Sequence, residues 1–160
     1  MAVPEIGAPA PDFTLSGVLL TDAGAERGEY SLSAQRGAPV VLAFYPGDDS
    51  AVCTKQLCSY TSDLDRFRDL GATVWGINLS DLDSHEHFAR KRDLRFPLLA
   101  DTDRSVVKAY GISMPGLGLK RSVFIVDAEG IVRWKHVARI GLTFQDTDAI
   151  VAQLAALAPR

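Results

Sequence analysis

PVVLAFYPGDDSAVCTKQLCSY, from Pro39 to Tyr60, is the stretch from which the rest of the chain can be read. Its first part, Pro39 to Tyr45, is a short apolar run stopped by Pro46, a pattern that suits a buried strand better than a helix. Beyond it Leu57, Tyr60, Leu64 and Phe67 recur at helical spacing, which predicts a helix from near Ala51 to about Leu70, ended by Gly71. A strand that feeds a helix therefore frames the only two cysteines of the chain, Cys53 and Cys58.

The same alternation extends in both directions. TVWGINL from Thr73 reads as a second buried strand, and DSHEHFARKR as a helix that Asp83 could cap, with Glu86 three residues later. A short helix is expected near Arg104 to Tyr110. SVFIVDAEGIVRWKHV reads as two strands about a tight DAEG turn, and Ile150, Val151, Leu154 and Leu157 mark an amphipathic last helix. Gly17 to Gly28, polar and containing glycine, is expected to be the exposed loop of an N-terminal β-hairpin. No linker, repeat or low-complexity segment interrupts residues 1–160, so the reading is one α/β domain with a central mixed sheet flanked by helices.

Composition narrows the function. A chain of 160 residues buries a core without disulfide staples. Seventeen Lys and Arg against 20 Asp and Glu give a net charge of −3, and no basic run points to nucleic acid or an anionic membrane. The N-terminus lacks a basic start followed by an apolar stretch, and no apolar run is long enough to span a bilayer, so a cytoplasmic protein is expected. In that compartment a close cysteine pair is more often catalytic or metal-binding than structural. Two cysteines and three histidines do not make the usual zinc spacing, and no metal is expected. His85 and His87 fall about 200° apart around a helix, so they cannot share an ion; these two and His136 are expected at ordinary, partly exposed positions. PGLGLKRS lacks the phosphate-loop spacing, and GISMP fails the nucleophile-elbow pattern. Cys53 would sit in the first turn of its helix, where free N–H groups and the helix dipole favour negative charge on sulfur. The residues alone leave two readings open, a reactive thiolate or a small buried hydrophobe.

PGDDSAVC, Pro46 to Cys53, resembles the peroxiredoxin motif P-x-x-x-(T/S)-x-x-C, and FYPGDDSAVCTKQLC is similar to the bacterioferritin-comigratory-protein, or Q-type, subfamily, whose second cysteine lies five residues after the first. APAPDFTL, SHEHFARKRDLRFPLLAD, AYGI and KRSVFIVDAEGIV resemble further segments of that family. The resemblance covers nearly the whole chain and implies a thioredoxin-like fold of the peroxiredoxin type. Carried over by position, it makes Cys53 the peroxidatic cysteine and Cys58 the resolving one. Ser50 would bond peroxide and thiolate, Pro46 would shield the sulfur, and Arg121 would stabilise the thiolate and the leaving oxygen. Taken alone, Arg121 would read as a strand-end surface charge.

Three positions depart from the family pattern: Ser50 for the more usual Thr, Gln56 where many relatives have Glu, and a Gly17 to Gly28 loop that looks longer than usual. The implied function is a peroxidase acting on hydrogen peroxide or alkyl hydroperoxides. Cys53 sulfenic acid would condense with Cys58 to an intramolecular disulfide, and thioredoxin or a glutaredoxin-type donor would restore both thiols. No cofactor is implied, and a monomer or weak dimer is expected. Two alternatives use the same thiols: a peroxide-sensing redox switch, or a thiol-disulfide oxidoreductase, for which a Cys-x-x-Cys spacing is missing.

Overall fold

In the computed structural model, which describes residues 3–48, 50–114, 116, 118–138 and 145–157, the apolar run after Pro39 is the strand β3 (Val40–Phe44). To its N-terminal side lie β1 (Thr14–Thr21), β2 (Gly24–Ser31) and a short 3-10 turn (Leu32–Gln35). After it follow α1 (Ala51–Ser62), α2 (Leu64–Asp69), β4 (Thr73–Asn78), α3 (Leu82–Arg92), β5 (Leu98–Ala100) and α4 (Ser105–Ala109). The chain continues through β6 (Ser113–Met114), β7 (Gly118–Leu119), β8 (Ser122–Val126), β9 (Val132–Val137) and α5 (Thr147–Ala155). Of PGLGLKRS, Pro115 and Leu117 lie outside the described residues.

Seven strands form one sheet in the order β2-β1-β5-β4-β3-β8-β9, with β3, β4 and β5 parallel and the other pairings antiparallel. All five residues of β3 are buried because both sheet faces are covered. Val41 and Ala43 point into one core with Leu57, Phe67, Phe88 and Leu154, while Leu42 and Phe44 point into a second with Trp75, Tyr110 and Phe124. The period-two alternation of a strand thus feeds two cores from one apolar run.

The structure corrects three expectations. Gly17 to Gly28 is not a loop: β1 and β2 pair in register from Thr14↔Ser31 to Thr21↔Gly24, and only Asp22 and Ala23 turn. The segment reads as polar because β2 is the sheet edge, where charged side chains face water and discourage further pairing. Its partner β1 is held from the other side by β5, through Gly17↔Leu99 and Val18↔Leu98. Gly17 has a packing reason, since a Cβ there would lie 2.8 Å from the Tyr30 ring. The helix expected over residues 51–70 breaks at Asp63, whose φ of −102° and ψ of 16° leave the helical region. Asp is a weak helix-interior residue, and the break still lets Leu57, Tyr60, Leu64 and Phe67 bury together. Asp81, not Asp83, caps α3, its carboxylate accepting from the Ser84 N–H at 2.9 Å. Asp83 and Glu86 instead reach across to Arg27 of β2, at 2.7 and 3.4 Å.

Candidate active site

The helix carrying the cysteines begins just beyond the C-terminal end of β3. Ser50 caps it, its Oγ accepting from the Cys53 N–H at 3.4 Å and donating to the Gly47 carbonyl at 3.5 Å. Cys53 lies in the first turn, and its side chain is wholly buried. Ser50 and Pro46 are exposed in the connecting loop. Among the described contacts, the Ser50 hydroxyl meets the backbone of Cys53, not its sulfur.

Arg121 is brought to this place by sheet pairing. It immediately precedes β8, whose antiparallel register sets Ser122 beside Phe44, the last residue of β3. The guanidinium, 68 residues away in sequence, therefore reaches the first turn of α1, and Nη2 donates to Cys53 Sγ at 3.0 Å. Arg121 is only 3% exposed. The reading of this residue as a surface charge does not survive its burial.

Nη1 of the same guanidinium donates to Gln56 Oε1. Gln56, one turn after Cys53, passes the chain on: its Nε2 donates to Tyr60 Oη at 3.1 Å, and Tyr60 Oη donates to the Gln145 carbonyl at 2.6 Å. Burial, ahead of every other influence, pushes the Tyr60 hydroxyl up from its ordinary range, so it stays a neutral donor. A glutamate at position 56 would offset the Arg121 charge; the neutral amide leaves that charge directed at the sulfur. The sequence marks Gln56 only as a departure from the Glu of many relatives and Tyr60 only as part of an apolar helix face, although their separation of four residues on one face was a usable signal.

Cys58 is half-buried on the same helix, and its thiol approaches the Arg92 carbonyl at the end of α3 at 4.0 Å. Both thiols are free. No group of three His, Cys, Asp or Glu side chains is placed to hold a metal ion among the described residues. A cavity of about 390 Å³, lined by Gly37, Pro39, Leu70, Asp127, Leu154 and Leu157, lies at the opposite end of β3 and includes none of these residues.

His85 corrects the expectation of a partly exposed histidine. It is fully buried, with Nδ1 2.8 Å from Asp48 Oδ2 and Nε2 2.9 Å from the Leu99 carbonyl. His87 is exposed and His136 half-buried, as ordinary positions are. Asp48 belongs to the loop between β3 and the Ser50 cap, so this histidine is tied to the same loop as the site. No spacing rule could have joined two residues that meet only because the Asp48 loop and α3 follow the neighbouring parallel strands β3 and β4.

Comparison with known proteins gives the family of the chain. The chain is 37% identical over 134 residues to a putative chloroplastic peroxiredoxin Q of Oryza sativa subsp. indica, covering 80% of this chain and 57% of that one. This chain therefore spans little more than half the length of that rice relative. It is 34% identical over 135 residues to a putative peroxiredoxin bcp of Coxiella burnetii, covering 80% of this chain and 85% of the relative. Among solved structures, peroxiredoxin Q of Xanthomonas campestris superposes with a TM-score of 0.77 at 29% identity over 97% of both chains. The fold is accordingly thioredoxin-like, of the peroxiredoxin type. Residues 6–135, which include both cysteines and Arg121, match the AhpC/TSA family, and the chain belongs to that family, beside the Q-type peroxiredoxins.

Proposed function

We propose that this protein is a thiol-dependent peroxidase that reduces hydrogen peroxide and alkyl hydroperoxides. The observation that carries the reading is the buried Arg121 guanidinium 3.0 Å from Cys53 Sγ, at the head of a helix. In the first step the Cys53 thiolate attacks one peroxide oxygen: an S–O bond forms, the O–O bond breaks, and the leaving oxygen takes a proton as water or alcohol. Sulfur is oxidised to sulfenic acid and the peroxide is reduced. Negative charge moves from sulfur to oxygen, so a guanidinium fixed beside both favours the transition state over the ground state. Ser50 holds the first turn, and Pro46 covers the approach. Cys53 is fully buried in this structure.

In the second step the Cys58 thiol attacks the sulfenic sulfur, forming the disulfide and releasing water. A dithiol protein, thioredoxin or a glutaredoxin-type donor, then reduces the disulfide by exchange. The protein works in the cytoplasm as a monomer or weak dimer; no helix among the described residues is long and apolar enough to cross a membrane. Two variants test the cycle. Cys53→Ser should abolish peroxide consumption, because an un-ionised hydroxyl is a poor nucleophile at neutral pH. Cys58→Ser should consume one equivalent and then stall as a sulfenic acid that dimedone captures. Turnover in the first variant, or normal thioredoxin-dependent turnover in the second, would refute the respective role.

A further inference from the structure

Between β3 and the helix of the thiols the chain runs from Tyr45 to Ser50; Tyr45 N–H bonds the Ile77 carbonyl at 3.1 Å, but beyond it the N–H groups of Gly47, Asp48 and Ser50 meet no backbone acceptor among the described residues. Beyond the bond of Ser50 Oγ to the Gly47 carbonyl, one side chain ties the loop to the rest of the fold. Asp48 Oδ1 accepts from Tyr45 Oη at 2.7 Å and from Asn78 Nδ2 at 3.2 Å. Its Oδ2 accepts from Ser84 Oγ at 2.7 Å and lies 2.8 Å from His85 Nδ1. These partners come from the loop's own root, the end of β4 and the first turn of α3. The Asp48 side chain is 6% exposed and that of His85 0%.

The bonds fix the charges. His85 Nε2 faces a carbonyl, which can only accept, so Nε2 carries a hydrogen. Three donors other than the histidine, Tyr45 Oη, Asn78 Nδ2 and Ser84 Oγ, already face the carboxyl, the pattern of an ionised group. Burial opposes that ionisation, but the His85 bond and charge and the Tyr45 and Ser84 bonds outweigh it, and the Asp48 carboxyl is held below its ordinary range. Nδ1 lies 2.8 Å from the Asp48 carboxylate and 3.4 Å from the Tyr45 hydroxyl; donation to the nearer, ionised oxygen gives a ring with hydrogens on both nitrogens. The Tyr45 hydroxyl is raised well above its ordinary range, by burial first and then by the charges of Asp48 and Cys53, so it stays a neutral donor to Asp48.

Resting on the peroxidase reading, we propose that Asp48 and His85 form a buried carboxylate–imidazolium clamp that positions the Pro46–Ser50 loop, and through the Ser50 cap the first turn of α1, for the attack of Cys53 on peroxide. Both are positioning residues and touch neither sulfur nor substrate. The histidine also cancels a carboxylate charge that would otherwise oppose negative charge on Cys53. Tyr45, Asn78 and Ser84 complete the clamp without adding charge.

Two measurements test it. In the reduced full-length protein at neutral pH, the imidazole 15N spectrum should show both nitrogens of His85 protonated; a neutral ring overturns the charge assignment whether or not the protein reduces peroxide. His85→Gln strips the cation from Asp48. It should lower the ultraviolet thiolate absorbance at neutral pH and slow first-turnover oxidation of Cys53 about 10²-fold, the scale of a misplacement near the reacting atoms. Adding Asp48→Asn to it should return the thiolate absorbance to the wild-type level. Unchanged absorbance in His85→Gln would reduce the pair to ordinary core packing and overturn the proposal. Should His85→Gln not fold, Asp48→Asn alone keeps the shape of the side chain but turns amide hydrogens toward donors. It is expected to slow first-turnover oxidation about tenfold without loss of thiolate absorbance, and a wild-type rate there overturns the positioning role. A wild-type protein that leaves peroxide untouched would sink the peroxidase reading and leave the 15N result to decide the clamp.

Discussion

One equivalent of hydrogen peroxide added to the reduced protein is expected to open α1. In the reduced state Ala51–Ser62 is a continuous helix with both thiols free. Residues five apart on a helix rise about 7.5 Å and turn about 140°, which sets their Cα atoms roughly 8 to 9 Å apart with diverging side chains. Bridged cysteines need Cα atoms within about 7 Å and converging Cβ vectors, so the Cys53 to Cys58 disulfide cannot form on an intact helix. The turns from Ala51 to Tyr60 must unwind. Leu57 and Tyr60 are both 0% exposed; bringing each to water costs about 1.5 to 3 kcal/mol, roughly 3 to 6 kcal/mol together. Unwinding also breaks the chain from Arg121 through Gln56 and Tyr60 to the Gln145 carbonyl. At 1.4 kcal/mol per decade, amide protection in this segment should fall by about 10² to 10⁴. Hydrogen exchange read by mass spectrometry, comparing the protein under excess reductant with the peroxide-treated form, measures this directly. Peptides over residues 51–60 should lose protection while β3 keeps its own. Equal protection of residues 51–60 in both forms, with the disulfide verified, would defeat the argument.

Two other outcomes are expected. Arg121→Met keeps bulk but removes the guanidinium, and should slow peroxide reduction by about 10² to 10³ while lowering the thiolate absorbance at neutral pH; an unchanged rate and absorbance would detach Arg121 from the chemistry. In the β8–β9 turn, burial would raise the Asp127 carboxyl, but the Ile131 N–H, the Arg133 guanidinium and the Glu129 N–H lower it below its ordinary value. A depressed folded value means stability present above about pH 4 and lost as pH falls through the folded value. Asp127→Asn should therefore be less stable than wild type by about 1 to 2 kcal/mol at neutral pH, with the gap closing below pH 4. Urea unfolding at pH 7 and pH 3 checks it, and a gap that persists at pH 3 would show that charge is not the cause.

Much of this protein is determined locally. The buried strand after Pro39, the helix that follows, the DAEG turn and the amphipathic last helix come from periodicity and turn chemistry within short windows, and the structure contains each of them. The position of Cys53 in a first turn is equally local, because the Ser50 cap and the helical spacing that follows lie within a few residues of it. The N-terminal hairpin is present, but its extent was not local: a polar edge strand carries no apolar alternation, and only pairing shows that all of Gly17 to Gly28 except the Asp22–Ala23 turn is sheet.

Tertiary structure decided what surrounds the sulfur. Arg121 looks like a surface charge until antiparallel pairing of β8 with β3 carries it to α1, and its burial follows from that register. Asp48 and His85, 37 residues apart, meet because parallel β3 and β4 deliver their following loop and helix to the same end of the sheet. Strand order and register set such distances, and both arise from pairing between segments remote in sequence, which no window along the chain contains.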